Sequence, residues 1–167
     1  AVEQQPVPGG LLGLSAPHAG YAYSGQTAAC AYRQLAGRKV ETVVLLGPSH
    51  RAWVGDYATS AEHAYATPLG EVALDQEFIE ALAERVPLKR IRGDAEHALE
   101  IQLPFMQREL GTFRLVPILM SADEPEVARE LAAHLAEIAR ARGGEQVGRV
   151  LFVAHSHLPP LPDHDQG

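Results

Sequence analysis

The chain has 167 residues, of which 46% are hydrophobic and 21% are charged, proportions that are ordinary for a soluble globular domain. A formal net charge of -7 without any cluster of Lys or Arg argues against binding to nucleic acid. The single cysteine, Cys30, excludes an internal disulfide framework and fits a reducing compartment. No apolar run approaches the roughly 20 residues of a membrane helix, so we expect a cytoplasmic protein without membrane contact.

We expect one domain over residues 1–167, with a linker-like start at 1–10 and an irregular tail at 159–167. The stretch TVVLLGPSH at 42–50 is the most informative part of it. Its four consecutive aliphatic residues do not alternate with polar ones and predict a strand buried on both faces, as in parallel α/β sheets. Gly47 and Pro48 end the strand and leave His50 just past its carboxyl end, the edge where such sheets bind ligands.

The elements before this strand complete a β-α-β unit. An apolar run at 11–16 predicts a strand, and a loop with His18 follows it. Ser24 and Gly25 precede a helical pattern that runs to about Leu35, and Gly37 ends the helix. A right-handed crossover is expected to set the two strands side by side or nearly so.

The rest of the chain continues as a mixture of strands and helices. Residues 53–72 predict an antiparallel excursion with a turn at 67–70, and Asp75 is expected to cap a short helix. A second helix, predicted over 95–110, is interrupted at Pro104 because proline removes a backbone hydrogen bond. The remaining predicted elements are a strand at 113–119, an amphipathic helix at 125–142 and a last strand at 149–154.

The eight histidines fall into groups by their place in these elements. Four lie within three residues of the end of a predicted buried strand: His18, His50, His155 and His157. Three lie elsewhere and are expected on the surface or in the tail: His63, His134 and His164. His97 stands in the first turn of its helix and shares a face with Glu100, three residues later.

A metal site is one interpretation of the histidines at strand ends. Two imidazoles and one carboxylate with open positions suit non-haem Fe(II), and His18 and His50 with one of Glu96, His97 or Glu100 form such a set. The alternative is that the two histidines only hydrogen-bond to loop backbone at the strand ends. Spacing leaves both open, because ligands on separate strands have no fixed sequence interval.

Three other chemistries are disfavoured. Ser49 and His50 are adjacent, so their side chains diverge and a Ser–His dyad is not expected. The glycine-rich stretch 9–13 precedes its strand instead of following it, unlike a dinucleotide-binding loop. Cys30 lies among alanines in a predicted helix, where a packed, inert thiol is expected.

Five sequence motifs carry a family resemblance. They are APHAGYAYSG at 16–25, LGPSH at 46–50, TPLG at 67–70 with Asp75, EHALEIQLPF at 96–105 and VPIL at 116–119. In order and approximate spacing these motifs resemble the Memo-like family, over roughly residues 11–154. Family members are typically longer at both ends.

The resemblance implies a three-layer α/β sandwich with a mostly parallel central sheet, similar to class III extradiol ring-cleaving dioxygenases, which use non-haem Fe(II). It implies iron or copper, bound by histidines that match His18 and His50 and by a cysteine near the C-terminus. Zinc is a further candidate metal for these ligands. Bacterial members resemble partners of a radical-SAM protein and a third small protein. Eukaryotic members are linked to signalling and cell motility.

The segment after Ala154 departs from the family pattern. The family reads Ser-Ser-Asp-Leu-Ser-His where this chain reads HSHLPP at 155–160. His157 therefore stands in place of the Asp and Pro160 in place of the His, no cysteine follows, and Cys30 is not the equivalent of the family cysteine. His157 is either a third imidazole ligand or a residue that has drifted.

We therefore predict a histidine-lined metal-binding cleft that also contains Glu96. His18, His50 and His157 are the predicted metal ligands, and His97 or Glu100 orients a ligand or accepts a proton. The cleft is predicted to be a redox or dioxygenase-like site, impaired here by the replaced residues. The alternative is a non-catalytic binding or scaffold module for a peptide, a small molecule or anion, or a partner protein. Self-association through exposed apolar surface is also expected.

Overall fold

The computed structural model describes residues 7–17, 20–49, 55–92, 97–121, 124–143 and 149–156. The strands in these ranges are β1 (Gly13–Pro17), β2 (Thr42–Pro48), β3 (Tyr57–Ser60), β4 (Ala64–Thr67), β5 (Gly70–Ala73), β6 (Leu88–Ile91), β7 (Arg114–Met120) and β8 (Val150–Ser156). The helices are α1 (Tyr21–Arg33), α2 (Gln76–Ala83), α3 (His97–Glu100), α4 (Leu103–Leu110) and α5 (Pro125–Gly143).

Six of the strands form one sheet in the order β1-β8-β2-β7-β3-β6. The first four are mutually parallel, while β3 runs antiparallel to β7 and parallel to β6. The predicted α/β fold with a mostly parallel sheet is therefore confirmed. One strand, β8, separates β1 from β2, which is the second of the two arrangements expected for the β-α-β unit.

The strand β2 lies inside the sheet, as its unalternating apolar sequence predicts. It pairs with β8 on one side and with β7 on the other. Val43, Val44 and Leu45 are fully buried, although neighbouring residues point to opposite faces. Both faces of the sheet must therefore be covered at this strand.

Helices cover the two faces. Thr42 and Gly47 are five residues apart in β2, so they face opposite sides of the sheet. The Thr42 hydroxyl donates to Asp75, the N-cap residue of α2, at 2.7 Å, and α2 packs against α5. The Gly47 face lies against Leu99 of α3, which packs with α4 and, through it, with α1. The result is the three-layer arrangement of helices, sheet and helices.

The sequence predicted α2 from its N-cap residue and α5 from its amphipathic pattern, and the structure contains both helices. The Asp75 carboxylate accepts a hydrogen bond from the Phe78 N–H at 3.1 Å, which confirms the predicted cap. In α5, Leu131, Leu135 and Ile138 are buried along the predicted stripe.

None of the helices in the described ranges is both long enough and apolar enough to cross a membrane.

The start of α1 was predicted too late. The helix begins at Tyr21, three residues before Ser24. The Gly20 carbonyl accepts hydrogen bonds from the N–H groups of Tyr23 and Ser24 at 2.8 and 3.2 Å, so the first turn forms without a side-chain cap. Gly37, with φ of +74°, closes the turn after the helix, a backbone conformation that glycine adopts without strain.

The position of the break between α3 and α4 also differs from the prediction. The helical pattern stops at Ile101 and Gln102, and Pro104 lies in the first turn of α4. Proline is tolerated there because a first-turn N–H has no partner within the helix. Pro104 therefore does not interrupt the helix, and the predicted start of this helix at 95–96 lies outside the described residues.

The region from 57 to 91 contributes more to the sheet than expected. The antiparallel hairpin is present as β4 and β5, with its turn at Pro68 and Leu69. However, β3 joins the central sheet, and β6 follows it as an edge strand that the sequence did not predict. Lys89 and Arg90 in β6 are exposed, and such charges are common on edge strands because they oppose further pairing.

Candidate functional site

The carboxyl ends of β1, β8 and β2 lie next to one another at one edge of the sheet. Ala16 pairs with His155 and Pro17 with Ser156, so β1 and β8 end at the same level. Leu46 pairs with Ala154, so β2 ends beside them. This is the edge of a parallel sheet at which ligands bind.

Three of the predicted site residues follow these strand ends in the sequence. His18, His50 and His157 lie outside the described residues, as does Glu96. The backbone of His97 begins α3, but its side chain is also outside what the structure describes. Within the described ranges, no group of three or more His, Cys, Asp or Glu side chains is arranged to hold a metal ion.

Glu100 and the histidines assigned to the surface can be placed directly. Glu100 ends α3 and is half-buried. His63 is exposed, as predicted, whereas His134 is half-buried with its Nδ1 3.9 Å from Glu137 Oε2. His164 lies outside the described residues.

His155 is the histidine that the structure places at the strand ends. Its ring packs beside Gly47, since a Cβ built on that glycine lies 3.7 Å from His155 Nδ1. The same Cβ lies 2.8 Å from Leu99 Cδ2. Both ring nitrogens of His155 are buried. The absence of a side chain at Gly47 therefore leaves room for Leu99 and for the His155 ring beside β2.

A buried amide connects the end of β1 to the break between α3 and α4. Gln102 is 1% exposed, and its Oε1 accepts a hydrogen bond from the Tyr32 hydroxyl at 2.6 Å. Its Nε2 donates to the Pro17 carbonyl oxygen at 3.1 Å. Burial raises the pKa of Tyr32, so its hydroxyl stays protonated and remains the donor.

Aromatic contacts add to this connection. The rings of Tyr32 and Phe105 stack with centroids 5.5 Å apart, and the edge of Tyr21 meets Phe105 at the same centroid distance. The Tyr21 hydroxyl donates to the Ile101 carbonyl oxygen at 2.8 Å, and partial burial raises the pKa of Tyr21. The start of α1 is thereby held against the α3–α4 break.

A surface pocket of about 590 Å³ lies away from the strand ends. Its lining includes Glu71 of β5, Arg108 near the end of α4, and Arg114. Arg114 is the first residue of β7, so this pocket lies at the amino edge of the parallel strands. It is distinct from the edge that the histidines follow.

Comparison with known proteins adds the family. The sequence profile of the Memo-like protein family matches residues 10–159. The chain belongs to the Memo-like family. This confirms the resemblance seen in the five motifs, and the α/β sandwich with a mostly parallel sheet agrees with it.

Individual relatives show how much of the family length this Memo-like chain spans. A MEMO1 family protein of Methanopyrus kandleri is 38% identical over 162 residues, which cover 93% of this chain and 56% of the relative. A MEMO1 family protein of Archaeoglobus fulgidus is 37% identical over 89% of this chain and 56% of its own length. A MEMO1 family protein of Pyrobaculum aerophilum is 36% identical over 99% of this chain and 59% of its own length. The chain spans a little more than half the length of these relatives.

Sequence reasoning missed two features of this Memo-like chain near the strand ends. His155 was noted beside a strand end but left out of the predicted cleft, and the extension of β8 to Ser156 places it within the sheet. Gln102 was quoted only as part of a motif. Its position as a polar residue between Ile101 and Leu103 in an apolar run was the available signal.

Proposed function

We propose that this Memo-like chain binds a metal ion at the carboxyl edge of its sheet, with His18, His50 and His157 as imidazole ligands. One observation carries the proposal: β1, β8 and β2 are adjacent and parallel, and each is followed within two residues by one of these histidines. Neighbouring strands are about 4.8 Å apart, so three strand ends span roughly 10 Å, a distance that side chains can bridge to a common point.

The donor set fits iron or copper. Imidazole nitrogens suit Fe, Cu and Zn, and three histidines with an open position are also known in catalytic zinc sites. Bound iron or copper would supply the redox chemistry that a dioxygenase-like reaction needs. Zinc binding would support water activation without electron transfer.

In this proposal, residues of α3 orient a metal ligand or accept a proton. Glu100 is half-buried at the end of α3, and Leu99 of the same helix packs over β2 at the strand ends. A carboxylate or imidazole there can accept a hydrogen bond from a ligand imidazole and so orient it, or can accept a proton from substrate. We assign this role to Glu100 or His97. The replacement of the family Asp and His by His157 and Pro160 is the reason to expect reduced activity.

Metal content tests the proposal. Elemental analysis of the purified protein, after reconstitution with Fe(II), Cu and Zn under reducing conditions, is expected to give about one metal per chain. The double variant His18→Ala/His50→Ala should contain none, and His157→Ala should bind more weakly. His63 is exposed, so the variant His63→Ala is the control, and its metal content should equal that of the parent. A parent without metal, or a double variant that keeps it, overturns the proposal.

The second candidate is a non-catalytic binding or scaffold module. Tyr21 and Tyr23, which follow His18 closely, are 54% and 91% exposed in the first turn of α1. Exposed tyrosines favour contact with a peptide or a partner protein, because they present apolar area with a polar tip. The radical-SAM protein and the third small protein implied by the resemblance are the partners to test in bacteria. Binding that survives Tyr23→Ser but requires metal would argue against this candidate.

A further inference from the structure

Gln102 joins three elements through one buried side chain. It lies at the break between α3 and α4, accepts a hydrogen bond from Tyr32 of α1, and donates one to Pro17, the last residue of β1. Burying an amide is costly unless both of its ends are hydrogen-bonded, and here both are. An amide combines a donor and an acceptor in a fixed plane, so it sets a direction that an apolar side chain of the same size could not set.

The Pro17 carbonyl is the last described backbone group before His18. Pro17 is also paired with Ser156 of β8, so the end of β1 is held both by the sheet and by Gln102. The connection from Pro17 to Gly20 contains only His18 and Ala19. Any displacement of Pro17 must therefore be transmitted to His18 through the covalent chain.

The far side of this two-residue connection is tied to the same place. The Gly20 carbonyl accepts hydrogen bonds from Tyr23 and Ser24, and thereby becomes part of α1. The Tyr21 hydroxyl donates to the carbonyl of Ile101, the neighbour of Gln102. Both ends of the connection are thus anchored at the α3–α4 break, the helix pair that also carries His97 and Glu100.

We propose that Gln102 is a positioning residue for His18. Its amide fixes the Pro17 carbonyl at the end of β1, and thereby the direction in which the chain enters the two-residue connection that begins with His18. Where it concerns metal affinity, this inference rests on the proposed function. Groups that hydrogen-bond directly to a metal ligand typically change metal affinity about 10- to 100-fold when they are replaced, and we expect a change within this range for Gln102.

The test reads the His18 imidazole directly in metal-free protein. Long-range ¹H–¹⁵N spectra of the histidine side chains report the tautomer and surroundings of each ring, and the His18 signal is assigned by its loss in His18→Ala. Two variants are compared with the parent. Gln102→Met keeps the volume and removes both hydrogen bonds, whereas Gln102→Glu still accepts from Tyr32 but cannot donate to Pro17.

The matched control is Tyr32→Phe, which removes the bond to Gln102 Oε1 and leaves the bond to Pro17. We expect the His18 signal to shift or broaden in both Gln102 variants and to stay in place in Tyr32→Phe. His134, on α5, should be unaffected in all of them. An unchanged His18 signal in the Gln102 variants, or an equal change in Tyr32→Phe, overturns the inference.

Metal titration is the second measurement. Gln102→Met and Gln102→Glu should weaken binding of Fe(II) or Cu about 10- to 100-fold, while Tyr32→Phe stays close to the parent. Equal weakening in all three variants contradicts a positioning role. If the parent binds no metal, the proposed function fails, and the imidazole spectra alone then decide whether Gln102 positions His18.

Discussion

Arg142 places a single guanidinium nitrogen, Nη1, 2.8 Å from Oδ1 and 2.7 Å from Oδ2 of Asp75. The Asp75 side chain is fully buried, and the Thr42 hydroxyl donates to its Oδ2 at 2.7 Å. One carboxylate therefore joins the last turn of α5, the N-terminus of α2 and the central strand. Burial alone would raise the pKa of Asp75, but the hydrogen bonds from Thr42, Arg142 and the Phe78 N–H outweigh it and lower the pKa.

Removing this carboxylate should destabilise the fold strongly. Asp75→Ala leaves the Arg142 guanidinium without its main partner and α2 without its cap, which we expect to cost about 3 kcal/mol of unfolding free energy. The exposed Glu77 also contacts Arg142, at 2.9 Å, and Glu77→Ala should cost less than about 1 kcal/mol. Urea denaturation followed by circular dichroism measures both. Equal losses would contradict the role assigned to Asp75.

The same carboxylate predicts how stability depends on pH. Because folding lowers the pKa of Asp75, its contribution is complete above the ordinary value of 3.8 and is lost as the pH falls through the lower folded pKa. The free-energy difference between the parent and Asp75→Asn should therefore shrink between about pH 5 and about pH 2. Urea denaturation of both proteins at several pH values in this range measures the difference. A difference that stays constant with pH would refute the linkage.

Gly47→Ala should be destabilising for a steric reason. The new methyl group would lie 2.8 Å from Leu99 Cδ2, so α3 or the Leu99 side chain must move, at an expected cost of about 2 kcal/mol. Shortening Leu99 should relieve this strain, so Gly47→Ala and Leu99→Ala should be less than additive in denaturation experiments. Gly25→Ala in α1 is the control. Its methyl group would meet Tyr21 Cβ at 3.6 Å, an ordinary contact, and should stabilise by roughly 0.5 kcal/mol.

Pro104→Ala distinguishes the two explanations of the helix break. A proline that interrupted an otherwise continuous helix would cost about 3 kcal/mol, so its removal would be strongly stabilising. The structure places Pro104 in the first turn of α4, so the substitution should instead destabilise by roughly 0.5 kcal/mol through the greater freedom of the unfolded chain. The sign of the change in thermal or urea unfolding decides between them.

Features with a local physical cause could be predicted from the sequence. The aliphatic run in β2, the Asp75 cap and the Leu131–Ile138 stripe each depend on neighbouring residues alone, and each prediction is confirmed. The edge strand β6 could not be found in this way. Its sequence, Leu-Lys-Arg-Ile, has two exposed charges, and only its pairing with β3 makes it a strand.

The site could be predicted only in outline. That histidines follow strand ends is visible in the sequence, and the strand order that brings β1, β8 and β2 together supports a common edge. No sequence interval indicates that Gln102 reaches Pro17 across 85 positions, because that contact depends on how α4 packs against α1. The roles of His18, His50, His157, His97 and Glu100 remain predictions.

The place of β8 in the sheet has a consequence for how the chain folds during synthesis. In the described sheet β1 pairs only with β8, so the first strand has no partner until the ribosome has released Val150–Ser156. Such pairing between distant segments raises contact order and slows folding. A nascent chain that lacks β8 leaves unpaired the strand edges of β1 and β2 that β8 later covers, and unpaired edges are prone to aggregation and to capture by chaperones.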